Sequence, residues 1–163
     1  MGWRLLLVTH WIGGMVWVGG VMFTGLALFP AVARLPRPWQ PRVYRTVMRR
    51  AHPVLTAAGA LVVGTGIWLG GVSGMARVWP PWADGDTLVW AVAAVVGLLT
   101  LAWGSLVSYR AADRLFADEA VWRAAEAGDP GPLRRGLARV AAYEGVEVAG
   151  FVVLIGCMAW FAA

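Results

Sequence analysis

The chain contains no lysine; all 14 of its basic residues are arginine. It has one cysteine, Cys157, which excludes an internal disulfide and excludes a CxxC metal or redox motif. Charged residues are scarce, at 14% of the chain, whereas hydrophobic residues make up 60%. With a mean hydropathy of +0.65, so large an apolar excess has no soluble core to hide in, and lipid is the expected solvent. The motifs of soluble enzymes are missing too: there is no glycine-rich phosphate loop after a strand, no nucleophile elbow and no HExxH.

What is present is apolar and comes in blocks. A membrane helix needs about 20 apolar residues. Four stretches qualify, at about 5–29, 54–72, 88–109 and 140–161. The fold class expected is therefore all-α, an integral membrane four-helix bundle in a single domain over 1–163. The first stretch is expected to stop at Pro30, and the second to begin after Pro53, a residue suited to a first helical turn. Asp86 or Thr87 is the expected N-cap of the third. "AVA" at 31–33 resembles a signal-peptide cleavage site, but the apolar run before it is too long for one.

The arginines are not spread evenly. The connection Pro30 to Pro53 carries six, with no acid, and the connection Arg110 to Arg139 carries another six. The middle connection has only Arg77, beside Asp84 and Asp86. By the positive-inside rule the two arginine-rich connections face the cytoplasm and both termini face outward. The same arginines could also meet anionic headgroups through a short interfacial helix at 42–51. Nucleic acid is not an expected partner, because these basic segments are short and carry no recognition motif.

Few polar residues lie inside the spans, and each is a candidate for function. The stretch "THWIGGMVWVGG", Thr9 to Gly20, places His10 in the outer part of the first span. At 100° per residue Trp17 lies roughly 20° from His10, Gly14 roughly 40° and Gly13 roughly 60°. Missing side chains at Gly13 and Gly14 would leave a recess beside the imidazole, to be filled by a ligand or by a packed helix. In "AAYEGVEVAGF", Glu144 and Glu147 sit one turn apart on the fourth span. An isolated buried carboxylate is costly, so they are expected to be protonated or paired, with His52, Tyr109 or an arginine in reach.

Height separates these groups. His10 and His52 fall roughly 25–30 Å apart along the membrane normal, so they cannot both ligate one haem. His52, Tyr109 and Glu144 fall at one level toward the cytoplasm, a group for proton handling or structure together with Glu147. Met158 falls at nearly the level of His10.

His10 followed by "WVGG" at 17–20 resembles the first helix of the CopD domain of copper-resistance membrane proteins, and "LRRG" at 133–136 followed by Glu144 resembles that domain's last helix. The spacing His10–Gly13–Trp17–Gly20 also resembles HemJ, the membrane protoporphyrinogen oxidase, and "HPVLTAAGALVVGTGIWL" at 52–69 is similar to its second helix. The resemblance covers most of the chain in layout and about a dozen positions in detail. It implies a four-helix bundle with a redox-active ligand, either b-type haem at His10 or copper. Both families tend to carry a lysine in the third helix; this chain has Trp90 in that region, a departure that bears on HemJ-type activity in particular.

The expected cofactor is haem b, with His10 as ligand, either Met158 as second ligand or a five-coordinate site, and Gly13, Gly14 and Trp17 shaping the slot. The alternative is CopD-like copper binding or uptake, for which the outer half offers His10, Met158, Met15 and Met75. A non-catalytic membrane scaffold is the third reading. The expected surroundings are the bilayer of a bacterial cytoplasmic (inner) membrane and a membrane or periplasmic redox partner, with homo-oligomerisation left open.

Overall fold

A computed structural model describes residues 2–75 and 79–161, and among them no strand occurs. Four helices are long and apolar enough to cross a membrane: α1 (Gly2–Ala33), α2 (Arg37–Ser73), α3 (Gly85–Ala117) and α5 (Gly131–Trp160). A short helix α4 (Glu119–Glu126) lies between α3 and α5. The described chain is thus helical, with four candidate membrane spans by length and composition.

Every long helix exceeds the apolar run that announces it, because the backbone stays helical past the hydrocarbon-length stretch into the arginine-rich segments. Pro30 does not end α1. The helix passes it by widening into a π turn at Thr24–Leu28, where the Phe29 N–H reaches back five residues to the Thr24 carbonyl. Proline has no N–H to donate and its ring crowds the preceding carbonyls, and a π turn is one of the few ways a helix absorbs such a misfit. Pro53 likewise lies inside α2 instead of at its start. The expected short interfacial helix at 42–51 is simply the first part of α2. A second π turn, Gly104–Ser108, interrupts α3.

The N-cap of α3 is Asp84, not Asp86 or Thr87: its carboxylate accepts from the Thr87 N–H at 2.9 Å and from the Thr87 hydroxyl at 2.8 Å. Hydrogen bonding to the charged form holds the Asp84 carboxyl below the usual range. Gly74 closes α2 at φ 89° and Gly128 turns the chain before α5 at φ 100°, left-handed positions that glycine takes without a Cβ penalty. Arg77 lies outside the described residues.

The long helices run antiparallel. α1 packs chiefly on α2, and α3 packs on α2 and α5. One end of the bundle gathers the start of α1 and α3 and the end of α2 and α5; the Trp160 indole donates to Asp86 there at 3.0 Å. The other end gathers the arginine-rich segments, where Tyr44, Met48, Phe116, Trp122 and Leu133 form a buried cluster, and the Arg37 guanidinium ties α2 to α4 through the Ala125 carbonyl. A second cluster, Trp17, Ala58, Val62, Phe151 and Leu154, fills the middle.

Outward faces are apolar: Leu5, Leu26, Trp68, Leu99 and Val152 are all exposed. The accessible surface is 10034 Å² for 17.5 kDa, against about 7,900 Å² for a compact soluble chain of that mass. Elongated helices with uncovered apolar sides suit lipid, where helix association rests on close packing rather than on a hydrophobic drive.

Candidate functional site

Two cavities hold the candidate histidines, carboxylates and Met158 between them. The first opens at the end that holds both termini. It measures about 600 Å³ and draws its walls from α1, α2, α3 and α5, within the ~300–1,000 Å³ typical of small-molecule and cofactor sites. His10, Trp17 and Met158 all line it, with Cys157, Met75 and Trp90. The remaining walls are mostly aliphatic or aromatic.

His10 is held by its neighbours in a definite way. Its Nδ1 lies 2.9 Å from the Thr65 hydroxyl. That hydroxyl has one proton, and it points to backbone: the Leu61 carbonyl stands at 2.7 Å and the Val62 carbonyl at 3.1 Å. Thr65 therefore receives from His10, so the network assigns the Nδ1–H tautomer and leaves Nε2 with a free lone pair. Ligating histidines are oriented in this manner by a second hydrogen bond from the other ring nitrogen. Gly66 makes the approach of the helices feasible, since a β-carbon there would stand 3.1 Å from His10 Cε1.

Trp90 on α3 lines the same cavity. Its indole donates to the Gly66 carbonyl at 3.1 Å and fills the side-chain space that Gly70 leaves empty. Trp17 forms the floor. It is 3% exposed and meets Phe151 edge-on with ring centroids 5.0 Å apart.

Gly13 and Gly14 are not on this wall. A β-carbon at Gly13 would stand 3.0 Å from Val62 Cγ2 and 3.4 Å from Leu61 Cδ2, so Gly13 serves the close approach of α1 and α2. Gly14 meets nothing within 4 Å. The helical wheel placed both near His10 in angle, but the neighbouring helix sits on the Gly13 side and covers it. Met15 is exposed to the outside of the bundle, which removes it from any donor set with His10.

The second cavity, about 50 Å³, lies toward the arginine-rich end; it is lined by His52, Tyr109, Glu144 and Glu147 with Thr56, Ser105 and Ser108, and shares only Trp17 with the first. The His52 and Tyr109 rings stack face to face with centroids 3.5 Å apart and planes within 4°. Thr56 and Ser105 hydroxyls pair at 3.3 Å. Glu147 is 6% exposed and its carboxylate lies over Gly104, in the space a side chain would need. The expected arginine does not reach these carboxylates: the ion pair found among the described residues joins Arg45 to Asp113 at 3.4 Å.

Thr65 and Gly66 were not singled out by sequence, whereas Ser108, expected beside Tyr109 near the level of His52 and Glu144, lines the second cavity with them. "GTG" at 64–66 gave a weak signal, a hydroxyl between two small residues in an apolar run. Cys157 lines the first cavity beside Leu154 and Met158. Among the described residues no three side chains of His, Cys, Asp and Glu cluster closely enough to hold a metal ion.

The fold and site define a class: a helical protein with four candidate membrane spans and a histidine on the wall of a large apolar cavity. No protein-family model matches the chain, and no curated protein or solved structure matches it.

Proposed function

We propose that this protein binds a b-type haem in the cavity at the terminal end of the bundle, where His10 and Met158 would hold it. One observation carries the reading. His10 Nδ1 stands within hydrogen-bond distance of the Thr65 hydroxyl, whose own proton has backbone carbonyls in reach, an arrangement that suits the Nδ1–H tautomer with Nε2 available, on the wall of an apolar space of about 600 Å³. The residues fit the group: an imidazole donor, a thioether across the cavity, indoles of Trp17 and Trp90 on the walls, and few competing polar groups. Haem held so would supply one-electron transfer or porphyrin-linked redox chemistry. The chain's own residues orient the imidazole, exclude water with indoles and aliphatic side chains, and keep the carboxylates of the second cavity away. Trp90 in place of a lysine argues for electron transfer over HemJ-type oxidase activity. The setting proposed is a bacterial cytoplasmic membrane with both termini outward, supported by six arginines in each of two connections.

A visible absorption spectrum of the detergent-purified protein from a haem-replete host, oxidised and then reduced, tests this. A Soret band that His10→Ala abolishes and His52→Ala preserves is expected. Its absence from the wild type refutes the haem reading.

Copper is the second reading, favoured by the convergence of His10, Cys157, Met158 and Met75 on one cavity, a soft donor set suited to Cu(I). Stoichiometric copper without a Soret band would select it. Neither ligand would leave a membrane scaffold.

A further inference from the structure

We infer that the smaller cavity is a binding site for a hard divalent cation, held by the oxygen atoms of Glu144, Glu147 and Ser108. It is distinct from the His10 site and does not depend on the haem reading.

Two observations converge. Glu144 and Glu147, one turn apart on α5, both line the cavity, and neither carboxylate finds a hydrogen-bond or ion-pair partner among the described residues. Independently, Ser108 on α3 lines the same cavity at 5% exposure, and its hydroxyl has no hydrogen-bond partner among the described residues. Buried polar atoms such as the Ser108 hydroxyl are almost always paired, and two charged carboxylates one turn apart repel each other. A protonated carboxyl would remain a buried donor in search of an acceptor. A cation satisfies both carboxylates and the hydroxyl at once.

Charge and donor type define the ion. Two carboxylates supply two negative charges, and His52, the basic side chain among the cavity's lining residues, stacks on Tyr109 and makes no ion pair with either carboxylate among the described residues. A divalent cation brings the site to neutrality, which matters most in a low-dielectric interior. Hydroxyls of Thr56 and Ser105 add further oxygens. Two carboxylates and a hydroxyl outnumber the Met48 thioether that shares the cavity, and oxygen donors select hard cations such as calcium, magnesium or manganese. About 50 Å³ holds an ion with a water or two. The two π turns flank the cavity, Thr24 from one and Gly104, Ser105 and Ser108 from the other; such turns shift backbone carbonyls out of the regular ladder and recur at functional sites.

The test uses the full chain in lipid nanodiscs after chelation, titrated with calcium, magnesium and manganese against choline chloride at matched ionic strength. Calorimetry should show saturable binding of one ion, and thermal unfolding a midpoint rise of about 4 °C at saturation. Glu147→Gln should weaken binding at least tenfold. Gly104→Ala, which displaces the Glu147 carboxylate without changing charge, should weaken it as well, whereas His10→Ala should leave it unchanged. Absence of saturable binding by the wild type, or wild-type affinity in Glu147→Gln, overturns the assignment. Should Glu147→Gln fail to fold, Glu144→Gln decides by the same criterion. A response to sodium alone overturns the divalent charge.

Discussion

Thr65→Val is the most direct probe of how the histidine is held. Valine keeps the shape and removes the hydroxyl that accepts the His10 Nδ1 proton at 2.9 Å. Thr65 is 8% exposed, so water cannot readily replace it. A neutral buried hydrogen bond lost on one side costs about 1–3 kcal/mol in a soluble protein. Between membrane helices the measured range is smaller, about 0.6 kcal/mol on average and about 1.7 at most, because the unfolded chain in lipid finds other partners. We therefore expect a loss of about 0.6–1.7 kcal/mol for the ligand-free protein, read by reversible unfolding in mixed micelles. Loss of an orienting hydrogen bond to a ligating histidine lowers ligand affinity about 10–100-fold, and a haem titration of the same variant should show this. Thr65→Ser should behave as wild type in both assays. In His10→Ala the Thr65→Val change should add little stability loss, because the pair is already broken. If Thr65→Val binds haem as tightly as wild type, the tautomer assignment is wrong, and with it the chief support for His10 as a ligand.

Other expectations follow from the same geometry. Met158→Ala should change the spin state or potential of bound haem while Cys157→Ala leaves the spectrum unaltered; under the copper reading both should lower the metal content. Gly13→Leu should separate α1 from α2 and destabilise the fold by about 1–3 kcal/mol, the usual cost of overpacking, whereas Gly14→Leu, facing open space, should change thermal stability and ligand binding little. Asp84 contributes pH-dependent stability: its folded pKa is depressed by the Thr87 hydrogen bonds, so the contribution is present above the ordinary carboxyl range and is lost as pH falls through and below it. Asp84→Asn should keep the cap and flatten that acid limb of the unfolding curve. Reporter fusions at Gly74 and Gly128 should report opposite sides of the membrane, with Gly128 cytoplasmic; equal sidedness would refute the four-span topology.

The sequence by itself determined the class of fold and the level of each polar group. Run length and composition do this because a hydrocarbon layer imposes a single length scale on every spanning helix. Heights follow from a constant rise per residue, which is why His10 with Met158, and His52 with Glu144, could be placed at two levels before any packing was known. Prolines misled at Pro30 and Pro53 because membrane helices pass through a proline when neighbours or a widened turn absorb the missing donor. Only the tertiary structure decided which neighbours meet. A helical wheel gives angles about one axis and says nothing of where the next helix lies, so Gly13 went to packing against Val62 while Gly66, on another helix, made room for the imidazole. The partner of His10 is Thr65, separated from it by 55 positions, and the emptiness of the space beside them depends on side chains from four helices at once. No local pattern carries that information, since a cavity is a property of what several elements jointly fail to fill.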